Sequence, residues 1–445
     1  MDSKRPTTTD QGYNSSGNPP CQTVRLTPDR LRHSLLSQGA SQALKLFVAI
    51  GIGGWTARHL GPQNLGILAY VTALVGLLAP LGNLGVKDSL SVMLCEKQPM
   101  PGLLGSALLI ELMGTLVVGV VLVPFALVSR DPVIAGLFGL AVVGNLLSSS
   151  EVFEVELLNR QRGTQLARVG TIQIVAGAAL SILALMAQMP LLVFGALPVF
   201  QAVIRAWMLA ASVKATKMLQ LLKQASWKTS RALIKRGWPL LVAGLSVMLY
   251  MKSDQVMLEW LRGAADVGQY SVAVRVAESL YFLPVVLANT FIPRLGLGSG
   301  NFETDPDLQR LYRTAWLLGV GMTLSVMVVI PPVIPLIFGD EFLPAQEALI
   351  WLGPAAFAVA TGCASGAWLN IQGHQKLIAQ RSTIGALVNI ILNLLLIPRI
   401  GFVGAAVATS TSFLLSVYLV GFFRKDVSSN LLFLFFPFRH AIFKI

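Results

Sequence analysis

Two charged side chains, Lys252 and Asp254, lie inside the apolar segment WPLLVAGLSVMLYMKSDQVMLEW at residues 238–260. This segment is long enough to cross about 30 Å of hydrocarbon, where a charge is costly unless it has a partner or faces water. Residues two apart on a helix point to nearly opposite sides, so these two charges cannot neutralise each other directly. Lys252 has a long stem that can reach the membrane interface. Asp254 has none, so we expect it to face a neighbouring helix or an aqueous cavity.

The next apolar segment carries two more charges near the same membrane depth. At about 1.5 Å of rise per residue, Arg275 lies about as deep as Lys252, and Glu278 lies about one helical turn deeper. Lys252 and Arg275 are therefore candidate substrate-binding residues for an anionic molecule in a cavity. Asp254 and Glu278 are candidates for ion coupling, although a purely structural ion network would explain the same four residues.

Three further charges fall within apolar segments. Glu111 is predicted near the middle of the membrane and is another candidate for ion coupling. Lys45 and Arg205 are predicted in the inner third of their helices, where they either extend toward the cytoplasm along lipid or line a substrate cavity. The amides of Asn389 and Asn393, spaced i, i+4, are more typical of hydrogen bonds between helices.

No metal site, cofactor or catalytic constellation is predicted. The three cysteines and four histidines are widely scattered and lack CxxC or HExxH spacing. The predicted outer loops are short, whereas acid–base chemistry would need several convergent side chains there. An enzyme is therefore not expected.

Composition places most of the chain in lipid. Of the 445 residues, 54% are hydrophobic and only 12% are charged, against about 25% charged in a soluble domain. The predicted fold is an all-α polytopic membrane protein. Apolar runs of about 20 residues predict about twelve transmembrane helices, at residues 39–60, 65–87, 103–128, 132–156, 166–187, 190–213, 237–258, 267–292, 312–338, 344–369, 380–398 and 402–423.

Basic residues accumulate in alternate connections, and Lys and Arg mark the cytoplasmic side of short loops. Both termini are therefore predicted to be cytoplasmic, in a multi-pass protein of the plasma (cell inner) membrane. The net charge of +13 follows from this topological bias, so it does not indicate nucleic acid as a partner.

The most basic connection, at residues 214–236, separates two sets of six predicted helices. A weak internal similarity supports two related lobes, because Gly61 and Gly66 match Gly263 and Gly268 at one offset. The predicted order is a disordered cytoplasmic N-terminal tail, an N-terminal six-helix lobe, a basic cytoplasmic linker, a C-terminal six-helix lobe and an interfacial C-terminal segment. These parts occupy residues 1–38, 39–213, 214–236, 237–424 and 425–445.

Four stretches resemble Wzx-type flippases of the multidrug/oligosaccharidyl-lipid/polysaccharide exporter superfamily. They are LGPQNLGILAY (60–70), SDQVMLEWLRGAADVGQYSVAVRVAESLYFLPVVLANTFIPRL (253–295), FGDEF (338–342) and LIPRIGFVGAAVAT (396–409). Their order and the helix plan extend the resemblance over about residues 40–424. The resemblance implies two six-helix lobes around a central cavity.

The resemblance also implies a function and partners. The expected cargo is a lipid-linked oligosaccharide, a polysaccharide repeat unit built on polyprenyl pyrophosphate, which is moved from the cytoplasmic to the outer leaflet by alternating access. Some members of the superfamily couple this movement to a cation gradient. The expected partners are this substrate, membrane lipids, and a polysaccharide polymerase with its export proteins.

Three alternatives remain. A drug or cation antiporter of the same superfamily would need acids as the dominant cavity charge, whereas Lys and Arg are at least as prominent in this chain. A peptidoglycan-precursor flippase of that superfamily would move a related lipid in cell-wall synthesis. A membrane glycosyltransferase or ligase would need catalytic acids or histidines, usually on a substantial outer loop, which is not predicted.

Overall fold

The computed structural model describes residues 28–94, 100, 102–128, 131–160, 162–212, 218–295, 301–302, 304–419 and 433, with side-chain environments from residue 50 onward. The described residues are helical and contain no strand. The helices are α1 (Pro28–Asn83), α2 (Val86–Leu94), α3 (Leu103–Val128), α4 (Pro132–Ser148), α5 (Val152–Asn159), α6 (Gly163–Met186), α7 (Leu191–Ser212), α8 (Met218–Lys223), α9 (Trp227–Arg262), α10 (Ala264–Glu278), α11 (Phe282–Leu295), α12 (Pro306–Leu324), α13 (Ile334–Phe338), α14 (Ala345–Ile371) and α15 (Gln375–Leu414).

Long apolar helices dominate because hydrocarbon leaves no other partner for the backbone N–H and C=O groups. Within the described residues, 10 helical stretches are long and apolar enough to cross a membrane. Two of them, Ile50–Leu94 and Gln375–Tyr418, are 45 and 44 residues long. Each is interrupted by non-helical backbone, at Gly61 in α1 and at Ile400 and Gly401 in α15. These two stretches therefore hold two spans each, and the predicted polytopic all-α fold is confirmed.

Two boundaries differ from the sequence predictions. The first helix begins at Pro28, so residues 28–38, which we assigned to a disordered tail, are helical. Proline favours the first turn of a helix, where its missing N–H has no partner to lose. The basic linker at 214–236 is also partly helical, because α8 lies within it and α9 begins at Trp227. Lys and Arg are good helix formers, so a high basic content alone does not indicate a loop.

Several predicted parts lie outside the described residues. These parts are the first 27 residues of the tail, the side chain of Lys45, and almost all of the C-terminal segment at 425–445. Only Phe433 of that C-terminal segment is described, and its ring stacks on Phe302 with ring centroids 4.1 Å apart.

The helices form two lobes, α1–α7 and α9–α15. In the N-terminal lobe (N-lobe), α4 packs between α3 and α7, and in the C-terminal lobe (C-lobe), α15 packs between α9 and α14. The lobes meet mainly along α1, which contacts both α9 and α10. Side chains of α1, α9 and α10 can therefore respond to a movement of one lobe against the other.

The first place where the lobes meet is the outer contact, between α1 at Gly66 and α10 at Gly268. A Cβ atom on Gly66 would lie 1.7 Å from the carbonyl oxygen of Ala264, and one on Gly268 would lie 2.0 Å from that of Pro62. Only glycine permits backbones to approach this closely. The corner glycines that precede them also match, with φ 69° and ψ 172° at Gly61 and φ 96° and ψ 174° at Gly263.

The second place is the inner contact, between α2 of the N-lobe and the first half of α9. Gly85 has φ +69°, and a Cβ atom there would lie 2.3 Å from the carbonyl oxygen of Gly237. The hydroxyl oxygen of Ser89 lies 3.4 Å from the carbonyl oxygen of Leu233. The two contacts therefore join the lobes at opposite ends of the molecule.

Candidate functional site

Asp254 points into the C-lobe and has hydroxyl partners on two other helices. Its side chain is almost fully buried, with 2% of the residue exposed. The Tyr270 hydroxyl of α10 donates to Oδ2 at 2.5 Å, and the Thr409 hydroxyl of α15 donates to the same oxygen at 3.3 Å. The backbone N–H of Gln255 donates to Oδ1 at 2.8 Å. Asp254 thus faces neighbouring helices, which is one of the two environments expected from the sequence. Its role in ion coupling stays a prediction.

The hydrogen-bond network continues from Thr409 into the two amides of α15. Asn389 donates through Nδ2 to the Thr409 hydroxyl at 3.3 Å, and its Oδ1 accepts from Ser253 at 3.2 Å and from Asn393 at 2.9 Å. Both asparagines are fully buried. The Oδ1 atom of Asn393 has no hydrogen-bond partner among the described residues. The amides thus join α15 to α9 and extend the surroundings of Asp254.

A pocket opens beside Asp254 and lies wholly within the C-lobe. Its cavity volume is about 20 Å³, which is room for about one water molecule. Its walls come from α9, α10, α14 and α15 and from the turn after α10, through Tyr250, Met251, Asp254, Tyr270, Val274, Ala277, Glu278, Tyr281, Leu352, Thr409 and Phe413. Two carboxyl groups and three tyrosines in this small space suit a proton, a small cation or water rather than a glycan.

Lys252 lies on the side of α9 that faces the N-lobe. Its Cγ is 3.9 Å from where a Cβ atom on Gly76 of α1 would stand. Its ammonium is 3.9 Å from Glu278 Oε1, and the two side chains are 26% and 29% exposed. Glu278 also lines the pocket beside Asp254. This glutamate therefore connects the C-lobe pocket to a cation at the boundary between the lobes.

Arg275 is the exposed cation at that boundary. Its Nη1 is 2.9 Å from where a Cβ atom on Gly53 of α1 would stand, so the guanidinium lies against the glycine-rich segment at 51–54. The residue is exposed although its neighbours on α10 are buried. Among the described residues, no carboxylate oxygen lies within 4.0 Å of its guanidinium and no hydrogen bond engages it. Such a group has all five N–H donors available to a ligand.

Glu111 and Arg205 lie in the N-lobe, away from the C-lobe pocket. Glu111 is 1% exposed, and its Oε1 atom has no hydrogen-bond partner in the described part of the chain. Arg205 donates through Nε to Glu154 Oε1 at 2.6 Å and lies 3.5 Å from Glu151 Oε1. Its charge is thus taken up by two carboxylates. We therefore group Arg205 with Glu111 rather than with Lys252 and Arg275.

The chemistry of the two regions differs. A lysine and an exposed arginine against a glycine surface suit a phosphate group, since guanidinium forms forked hydrogen bonds to its oxygens. A buried carboxyl with hydroxyl and amide oxygens around it suits reversible binding of a proton or small cation. Among the described residues, no group of three or more His, Cys, Asp and Glu side chains could hold a metal ion.

The sequence reasoning missed the hydroxyl partners of Asp254 and the residues that hold Arg205. Tyr270 stands 16 residues after Asp254 on the next helix. A comparison of the depths of residues on these two consecutive helices could have identified it as a partner. Thr409 and Asn389 belong to α15, far along the chain from α9. No rule of sequence spacing predicts that they lie near Asp254. Glu151 and Glu154, which hold Arg205, lie near a predicted helix end, where charged residues are ordinarily solvated.

The sequence matches two family profiles. One is described as polysaccharide biosynthesis protein and matches residues 34–296, which is more than half of the chain. The other is described as MatE and matches residues 239–395, most of the C-lobe. The first match includes α9 and α10, and hence Lys252, Asp254, Arg275 and Glu278.

Similar proteins are found among curated sequences and solved structures. The chain is 24% identical over 399 residues to the probable low-salt glycan biosynthesis flippase Agl15 of Haloferax volcanii, covering 85% of this chain and 82% of that one. It is 24% identical over 199 residues to the lipid II flippase MurJ of Bacillus subtilis, covering 41% and 36%. A solved structure of a lipid II flippase MurJ in an inward closed conformation aligns with TM-score 0.68 and 14% identity over 89% of each chain. At that identity the likeness shows a common fold.

Proposed function

The chain belongs to the polysaccharide biosynthesis protein family, and on that basis we propose that it is a flippase for a lipid-linked oligosaccharide. Its cargo is a polysaccharide repeat unit on polyprenyl pyrophosphate, which crosses the plasma membrane as the two lobes expose a central cavity to each side in turn. Similarity to a glycan biosynthesis flippase over most of both chains supports this proposal. The observation that carries it is the unpaired guanidinium of Arg275 at the boundary between the lobes.

Arg275 and Lys252 bind the pyrophosphate in this proposal. A pyrophosphate cannot enter hydrocarbon unaided, because its charges would lose their water. Fixed cations and forked hydrogen bonds replace that water. Gly53 and Gly76 leave the α1 side of the boundary without side chains beside these two cations. The polyprenyl tail needs no such site, since it stays in lipid.

Ion coupling is assigned to the C-lobe pocket. Asp254 takes up a proton or small cation among Tyr270, Thr409 and the pocket wall. Glu278 passes this change to the substrate site, because it lines the same pocket and also pairs with Lys252. An ion that draws Glu278 toward the pocket leaves the Lys252 ammonium free for the pyrophosphate.

Topology, chemistry and protein partners complete the proposal. Both termini lie in the cytoplasm, so the inner contact is on the cytoplasmic side and the outer contact on the opposite side. The protein performs no covalent chemistry on its cargo. A polysaccharide polymerase and export proteins receive the flipped repeat unit.

A second candidate is a flippase for a peptidoglycan precursor. The fold of a lipid II flippase supports it, and lipid II also presents a pyrophosphate. Complementation of the essential cell-wall step in a strain that lacks its own lipid II flippase separates the two candidates. A drug antiporter is less well supported, because the exposed charge at the boundary is a guanidinium rather than an acid.

Export in cells that lack their own repeat-unit flippase tests the role of Arg275. A hydrogen bond to a charged group contributes about 1.5–3 kcal/mol, equivalent to about tenfold or more in affinity. We expect Arg275→Ala to accumulate in the membrane normally and to lower polysaccharide export by about tenfold or more. Arg275→Lys retains part of the export. Arg310→Ala, which removes an exposed arginine far from the boundary, is the matched control. Wild-type export by Arg275→Ala would contradict the proposal.

A further inference from the structure

The N-lobe contains a chain of ion pairs that the proposed function does not use. Lys87 of α2 pairs with Glu151, which stands in the turn between α4 and α5. Glu151 also lies 3.5 Å from Arg205 of α7, and Arg205 pairs with Glu154 of α5. We call these four residues the N-lobe ion cluster. It joins α2 to α5 and α7 of the N-lobe.

Glu111 of α3 is a further acid, which lies beside the N-lobe ion cluster. The two cations, Lys87 and Arg205, already have Glu151 and Glu154 as partners. Glu111 is within electrostatic reach of Lys87 and Glu154, but it forms no ion pair among the described residues. One of its oxygens is buried without a partner. A buried carboxyl without a cation or hydrogen bonds is stable only when it carries a proton.

Other helices packed against α3 contribute no competing charge. Among the described residues, Lys87 of α2 and Glu154 of α5 are the charged groups that act on Glu111. The turn that carries Glu151 and helices α1, α4, α8 and α9 also contact α3, but none of their charged side chains within the described part acts on Glu111. Asp88 of α2 is exposed and acts on Lys87. Lys87 is therefore the cation to which an ionised Glu111 would turn.

Lys87 lies within the segment that forms the inner contact. It stands two residues after Gly85, whose backbone meets Gly237 of α9, and two residues before Ser89, whose hydroxyl oxygen lies 3.4 Å from the carbonyl oxygen of Leu233. A displacement of Lys87 therefore moves the part of α2 that touches the C-lobe.

We propose that Glu111 is a proton-binding site that controls the inner contact between the lobes. When Glu111 is protonated, Lys87 stays with Glu151 and α2 stays seated on α9. When Glu111 releases its proton to water, its carboxylate competes with Glu151 for Lys87, and α2 separates from α9. The proposal takes its purpose, alternating access, from the proposed function, but its observations lie outside the substrate site.

The distance across the inner contact, measured by pulsed electron paramagnetic resonance at different pH values, tests the proposal. Spin labels replace Val92 on α2 and Ile234 on α9, both exposed, in a chain whose three cysteines are replaced by serine. The protein is held in lipid nanodiscs without substrate. We expect a short distance at acidic pH and a longer one at alkaline pH. A distance that does not change with pH in the otherwise unaltered chain would overturn the proposal.

Substitutions of Glu111 make the test specific. Glu111→Gln is permanently neutral and similar in shape, so the short distance is expected at every pH. Glu111→Asp keeps a titratable group and is expected to keep the shift. Glu347→Gln, which removes an exposed acid in the C-lobe, is the matched control and keeps the shift. A wild-type shift in Glu111→Gln would overturn the proposal.

Glu154→Gln gives an independent check if Glu111→Gln does not accumulate. It leaves Glu151 and Glu111 to neutralise Lys87 and Arg205, so Glu111 should remain ionised to more acidic pH. The change in distance is then expected at lower pH than in the wild type, and an unchanged or higher midpoint would contradict the proposal. Because no glycolipid is present, a failure here is distinct from a failure of export by Arg275 variants.

Discussion

Asp254 and Lys252 are two residues apart on α9 and face different surroundings. Asp254 accepts hydrogen bonds from Tyr270 and Thr409 inside the C-lobe, whereas Lys252 faces α1 and pairs with Glu278. Opposite directions for residues at this spacing follow from helix geometry. The third residue, Glu278, reaches both environments. Side-chain direction on a single helix thus separates the proposed coupling site from the proposed substrate site.

At the residue scale, Asp254→Asn should uncouple transport without removing substrate. An asparagine fits the same space and can still accept a hydrogen bond from Tyr270, but it cannot bind a proton. We expect this variant to accumulate and to bind the lipid-linked substrate as the wild type does. Acceleration of flipping by an imposed ion gradient is expected to be lost.

Reconstituted vesicles, assayed with and without the gradient, measure both properties. Ser410→Ala is the control, since its hydroxyl donates to the Trp351 carbonyl and takes no part in the bonds to Asp254. If Asp254→Asn still responded to the gradient as the wild type does, the coupling role of Asp254 would be wrong.

The charged residues could be placed by depth from the sequence, but their partners could not. The rise per residue along each predicted helix put Lys252, Asp254 and Arg275 near one level. The Thr409 hydroxyl that binds Asp254 and the carboxylates that hold Arg205 come from helices far apart in the chain. Serine and threonine are common in membrane helices, and the acids that hold Arg205 lie near a predicted helix end, so spacing alone does not select the residues that meet.

At the element scale, glycines determine how closely the lobes approach. Gly66 and Gly268 bring α1 and α10 together at the outer contact, and Gly85 and Gly237 bring α2 and α9 together at the inner one. Small residues are the usual means of close helix packing in lipid, where no hydrophobic force drives helices together. Both contacts join one lobe to the other, so both must change if the lobes move.

Gly66→Val is therefore expected to open the outer contact. The added Cβ would stand 1.7 Å from a backbone oxygen, which cannot be relieved by turning a side chain. A cysteine at Val267, which is fully buried, should become reactive toward a membrane-impermeant maleimide in this background, and export should fall.

Gly321→Val is the control, because nothing lies within 4 Å of its added Cβ. It should leave the cysteine protected. A protected cysteine and wild-type export in Gly66→Val would show that the outer contact is not part of transport.

Hydropathy predicts the helices of this chain better than it predicts their ends. The bounds of α3 agree with the predicted span at 103–128, since lipid permits no other backbone structure there. The early start at Pro28 and the helical part of the linker were missed, because polar and basic sequences form helices as readily as loops. The glycine match between the halves was visible in the sequence. The meeting of Gly66 with Gly268 was not, because it depends on how the lobes pack.

At the scale of the whole molecule, Asp254 is a buried acid of the C-lobe and Glu111 is a buried acid of the N-lobe, and α1 contacts the helices that carry both. Asp254 lines the C-lobe pocket, and Glu111 lies beside the N-lobe ion cluster. Arg275 and Lys252 face the boundary between the lobes. Composition and charge bias predicted a membrane protein with two sets of six helices, and the resemblance to Wzx-type flippases predicted a transporter. They could not show that the exposed cation and the buried acids occupy separate sites, because that separation arises from packing.

The most direct test of the central claim is flipping of a fluorescent polyprenyl-pyrophosphate oligosaccharide in vesicles that contain only the purified protein. Access of a membrane-impermeant glycosidase to the glycan reports which leaflet holds it. The account predicts rapid exchange between leaflets with the wild type, and exchange slowed by about tenfold or more with Arg275→Ala. Exchange no faster than in protein-free vesicles, or equally fast with Arg275→Ala, would contradict it.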